Sequence, residues 1–178
     1  MSSLSHLLFQ RTSRSGIFFD LSALAFICLV PGISHLLNVP LYLVEPMRLM
    51  LVLSLAHSDK INGYLLAVTM PLISTLISGH PVFPKMILIV AELSLNVFLF
   101  YFLVQKTKYL FPAVFLSIIL SKSFYYLLKF LLIKMTVLNT DLVATPLMIQ
   151  AGTIMVFGSY LFVFYRRTNH PGSSWFPG

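Results

Sequence analysis

Acidic residues are scarce in this chain, with only five Asp and Glu among 178 residues. Charged residues of both signs make up 10%, where a soluble domain averages about a quarter. A water-soluble domain of this size would leave much apolar surface exposed, so the shortage excludes a soluble enzyme. One cysteine, Cys28, excludes an intrachain disulfide and with it a disulfide scaffold. No Gly/Ser-rich linker, internal repeat or long polar run breaks the chain, which excludes a disordered protein and a second domain. Walker A, HExxH, GxSxG and clustered aspartates are all missing. No catalytic residue, metal or cofactor is therefore expected, and the chain is not read as an enzyme.

What is present is apolar. The sequence is 58% hydrophobic, with 16 Phe, 8 Tyr and 8 Met, and its mean hydropathy is +0.90. Continuous apolar runs of about 20 residues predict transmembrane helices. The period-2 pattern of an outer-membrane barrel is absent. The fold class expected is an all-α integral membrane protein with six transmembrane helices, in one domain over 16–165 between a 1–15 segment and a 166–178 tail. Six spans are predicted, at Gly16–Leu37, Pro40–His57, Ile61–Ser78, Pro84–Val104, Leu110–Lys134 and Asp141–Tyr165. Pro31-Gly32 should kink or unwind the first. The second is short and carries Glu45 and Arg48, and with only ten uncharged residues between Arg48 and Asp59 its alternative is a re-entrant segment. Arg11 and Arg14 precede an apolar stretch too long for a signal peptide, which predicts a retained span.

The net charge of +7 would point to nucleic acid in a soluble chain. Here Lys and Arg flank the spans instead, and no nucleic-acid partner is expected. Seven of these flanking cations (Arg11, Arg14, Lys60, Lys106, Lys108, Arg166 and Arg167) fall on one side of a six-span topology. Only Lys85 and Lys134 fall on the other. The excess of Lys and Arg marks the cytoplasmic side, which places both termini there and the chain in the cytoplasmic membrane.

Ionisable groups at bilayer depth are costly and face a bundle interior or a wet cavity. At 1.5 Å per residue, Glu92 lies roughly 10–12 Å below the outer surface and Asn96 roughly 18 Å. On the same scale Lys129 is about 8 Å deep, Lys122 about 18 Å and Gln150 about 13 Å. Glu45 and Arg48, one to two turns down, are three residues apart and share a helix face. Lys85, Glu92 and Asn96 share another, and Lys122 and Lys129 a third. Nearly all the strongly polar groups thus sit in the outer half, which predicts a cavity open to the outside. With more cations than anions there, a carboxylate or phosphate solute would restore balance. Arg48, Lys85, Lys122 and Lys129 are expected to contact its anionic parts, and Glu92, Asn96 and Gln150 to hydrogen-bond it. Each has a second reading. Glu45–Arg48 can be an intrahelical ion pair, Glu92 can neutralise Lys122 or Lys129, Lys129 and Lys134 can snorkel, and Gln150 can bridge helices. His35, His57 and His80 lack metal-site spacing.

The run PLISTLISGHPVFPKMILIVAEL, from Pro71 to Leu93, carries Ser78-Gly79-His80-Pro81, then Pro84-Lys85, then Glu92-Leu93. With six spans in under 200 residues, it resembles the substrate-binding S components of energy-coupling-factor (ECF) vitamin importers. That resemblance implies capture of a vitamin-like micronutrient from outside. It also implies partners, a transmembrane coupling subunit and ATPase subunits, since this chain has no ATPase motif. The Ala-x-x-x-Ala face that often packs on the coupling subunit is absent from the first span. The one small-xxx-small pair there is Cys28 and Gly32. The rival expectation is a six-span scaffold of a cell-envelope complex, similar in size to the MreD family of rod-shape proteins, with buried charges paired and no cavity.

Overall fold

A computed structural model describes residues 14–38, 41–58, 60–107, 110–138, 140–143 and 146–168. The far ends of the chain, 1–13 and 169–178, which hold Arg11 and most of the expected tail, lie outside the described residues.

The apolar runs become six helices, and the described residues contain no strand. These are α1 (Arg14–Leu37), α2 (Pro46–His57), α3 (Lys60–Ser78), α4 (Phe83–Thr107), α5 (Leu110–Lys134) and α6 (Leu147–Thr168). Four of them, α1, α3, α4 and α5, are long and apolar enough to cross a membrane. The chain is an all-α membrane protein. Its outward surface fits that solvent, since Phe18, Leu76 and Met148 are more than two-thirds exposed.

Helix α1 runs through Pro31 without unwinding. Two details differ from the sequence expectations. The second span is not a continuous helix: a short 3-10 turn, Leu41–Val44, leads to a break at Glu45, and only Pro46–His57 is α-helical. Proline disfavours the helical region for the residue before it, and Glu45 takes a left-handed conformation instead, at φ 53° and ψ 61°. Twelve residues rise only about 18 Å, short of the roughly 30 Å hydrocarbon core. The sixth helix starts at Leu147, six residues later than expected and directly after Pro146, a residue suited to a helix start.

The half-length α2 packs on α1, α3, α4 and α6. Its Leu51, Val52 and Leu55 are fully buried against Leu66 and Met70 of α3, Val97 of α4 and Leu161 of α6, among others. Helices α5 and α6 approach closely at Gly158, where a Cβ would come within 2.8 Å of the Phe115 ring. Small residues permit this kind of contact between membrane helices. Because α2 begins partway along the bundle, it fills the core at one end and leaves the other end hollow.

Candidate functional site

The hollow end is a cavity of about 660 Å³. Its floor is the start of α2, with Glu45, Pro46, Met47 and Arg48. Its walls come from the C-terminal part of α1, the N-terminal half of α4 and the C-terminal half of α5. The turn after α3 closes one side. Gly79 holds that turn with φ +68°, a value glycine adopts without penalty. Hydroxyls pin the turn back onto α3: Ser74 Oγ donates to the His80 carbonyl at 2.7 Å, and Thr75 Oγ1 to the Pro81 carbonyl at 2.9 Å. His80 and Pro81 are thereby fixed on the cavity wall.

Buried charges converge on the floor. Arg48, 3% exposed, donates from Nη2 to Glu92 Oε1 on α4. Its Nη1 lies 3.1 Å from Glu45 Oε2. Glu45 caps no amide of α2 and instead accepts from Lys122 Nζ on α5. The chain of contacts Glu92–Arg48–Glu45–Lys122 sets two carboxylates against two cations and is neutral as a unit. Mutual neutralisation is what buried ions require. It ties the start of α2 to α4 and α5, two helices joined to it by few other contacts.

Of the seven residues expected to meet a solute, Arg48, Lys85, Glu92 and Lys129 line the cavity. Lys122, Asn96 and Gln150 are buried but do not form its wall. Asn96 donates to Ser121 Oγ at 3.0 Å, joining α4 to α5. Gln150 Oε1 accepts from the Tyr126 hydroxyl at 2.7 Å, joining α6 to α5. Lys129 is 2% exposed, and its ammonium donates to the main-chain carbonyls of Asp141 (2.6 Å) and Leu142 (2.9 Å). That tether holds 141–142 against the C-terminal half of α5. Lys85 is half-buried and makes no hydrogen bond or ion pair among the described residues.

Part of the wall comes from residues that charge and depth do not single out. Tyr125 and Tyr126 line it from α5, spaced three or four residues from both Lys122 and Lys129, so they extend the same helical stripe. Ile27, Val30, Ile89 and Leu93 give it an apolar flank from α1 and α4. Ser34 and His35 join it from the end of α1. Among the described residues no group of three His, Cys, Asp or Glu side chains is placed to hold a metal.

The site has the size and mixed lining of a small-molecule pocket, which commonly occupies 300–1,000 Å³. No protein-family model, no curated protein and no solved structure matches the chain.

Proposed function

We propose that this membrane protein is a solute-binding subunit, capturing a small anionic, vitamin-like compound in the cavity above α2. The observation that carries the reading is the cavity itself, created by a central helix that stops halfway. Membrane transporters commonly bind solutes where a helix is interrupted at depth. The resemblance of Pro71–Leu93 to ECF S components adds a class of transport. In that class the chain would deliver solute to a coupling transmembrane subunit driven by ATPases. The Lys/Arg count supports an orientation with the cavity on the outer face of the cytoplasmic membrane and the termini on the inner face.

The test has two arms. Detergent-purified protein is titrated with radiolabelled water-soluble micronutrients, and tagged protein is recovered from its own membranes to identify co-purifying subunits. Saturable one-to-one binding of one compound, with an ATPase in the recovered complex, is the expected result. Absence of both, together with normal growth of a deletion strain on limiting vitamins, would sink the proposal.

The mutual neutralisation of Glu45, Arg48, Glu92 and Lys122 favours a second reading, a scaffold subunit of an envelope complex similar to the MreD family. Such a scaffold needs the ion pairs but not an open cavity of about 660 Å³. Recovery of cell-wall assembly proteins in place of an ATPase would select it.

A further inference from the structure

Once Arg48 and Lys122 are neutralised by Glu92 and Glu45, two ammonium groups are left over on the cavity wall. Lys85 has no hydrogen-bond or ion-pair partner among the described residues. Lys129, though buried, has only main-chain carbonyls on its ammonium. Both line the same cavity, and Asp141, whose carbonyl Lys129 holds, is an exposed residue. Like charges gathered in a low-dielectric wall are unfavourable until an anion lies between them. His80 stands on the same wall and adds a further polar contact. The surface running inward is of opposite character. Ile27 and Val30 of α1, Ile89 and Leu93 of α4 and Met47 at the start of α2 give the cavity an apolar lining. From Lys85 to Leu93 this flank extends about 12 Å along α4.

Resting on the solute-binding reading, we propose that the ligand is an amphiphilic anion. One carboxylate or phosphate end group bridges Lys85 and Lys129, and a mainly hydrocarbon body lies inward between α1 and α4. Charge recognition then belongs to two lysines near the mouth, and the ion network at the floor acts as a neutral polar base. Two sources share this chemistry: a free amphiphilic acid from solution, and a membrane lipid whose headgroup phosphate enters the cavity.

Nanodisc-embedded protein, corrected against empty nanodiscs, is titrated with radiolabelled decanoate and decyl phosphate. Acetate, inorganic phosphate, decanol and decyltrimethylammonium serve as competitors. Saturable binding of both decyl anions is expected, with acetate and inorganic phosphate competing at least a hundredfold less well and the neutral and cationic chains at least tenfold less well. Lys85→Ala should weaken decanoate binding tenfold or more, and Lys85→Arg should restore it to within threefold. Lys85 anchors nothing in the fold, so loss in Lys85→Ala with an unchanged elution profile is not a folding defect. Lys129→Ala serves as a second variant only if it elutes like the parent. Phosphatidic acid in the disc that displaces decanoate identifies the lipid source, and failure to displace it identifies the free acid. Both results support the shared chemistry. Equal binding of decanol, equal binding of inorganic phosphate, or an unchanged Lys85→Ala would overturn the proposal. Binding of a polar micronutrient with no decanoate binding would overturn it and leave the solute-binding function standing. If no compound of either kind binds, both fail.

Discussion

Replacing Glu92 by Leu isolates the energetics of the buried network. Arg48 is 3% exposed and holds Glu92 through Nη2, while its Nη1 remains 3.1 Å from Glu45. Removing Glu92 leaves one carboxylate, Glu45, facing two cations, Arg48 and Lys122, so the unit changes from neutral to a charge of one. Removing one partner of a buried pair typically costs about 3–5 kcal/mol. Glu45 still compensates Arg48 in part, which places the expected loss at the low end, about 3 kcal/mol. For a chain of this length that corresponds to a fall in melting temperature of roughly 6–12 °C. The paired replacement Arg48→Met with Glu92→Leu removes both charges and leaves Glu45–Lys122 neutral. Buried ion pairs replaced by apolar groups of similar volume are often near neutral in stability, so the double variant should lie within about 1 kcal/mol of the parent. The assay is a double-mutant cycle, read by reversible unfolding in mixed detergent–dodecyl sulfate micelles. A coupling energy near 2 kcal/mol or more is expected. A single variant indistinguishable from the parent, or a double variant as unstable as the sum of the singles, would refute the claim that these ions neutralise one another.

Other substitutions follow from particular contacts. Lys122→Met should destabilise the protein by exposing Glu45 to a lost partner, yet weaken solute binding less than Lys85→Ala does. Comparing melting temperature with binding constant for the two variants checks this. Gly158→Ala forces a Cβ against the Phe115 ring and should cost about 1–3 kcal/mol, as overpacking does, measured by the same unfolding assay. Combining it with Phe115→Leu should recover most of the loss, and failure to recover would mean that the clash is not the cause. Tyr126→Phe removes the donor to Gln150 and should cost about 0.5–1.5 kcal/mol, with helix content unchanged by circular dichroism.

The helical architecture was legible because the apolar runs are long and their ends are marked by Lys, Gly and Pro. The boundaries of α3, α4 and α5 fall within three residues of those read from the sequence. Depth reckoned along each helix also put most of the polar groups at one end, where the cavity lies. Partner choice was not legible. Glu45 and Lys122 are 77 residues apart, and nothing in their local sequence names one as the other's counterion. Depth alone allowed Glu92 to offset Lys122 or Lys129, and it instead meets Arg48, carried to it on the first turn of α2. The break at Glu45 had a signal in the Glu-Pro dipeptide that hydropathy does not register. The late start of α6 had a signal of the same kind in Pro146, whose carbonyl accepts from the Gln150 amide at 3.2 Å as the helix opens.

A helix that fills only one half of a bundle also divides the protein by rigidity. At the α2 end, Leu51, Val52, Leu55 and Phe100 are fully buried, so opening a helix there exposes core side chains. At the opposite end the same helices border empty volume and hold one another through a few polar contacts. Amide exchange should therefore divide along the length of individual helices. The C-terminal halves of α1 and α5 and the start of α4 should open by small local fluctuations, while the other halves exchange only on global unfolding. Occupancy of the cavity would then register chiefly as slowed exchange in those loose half-helices, with a much smaller change in the overall melting transition.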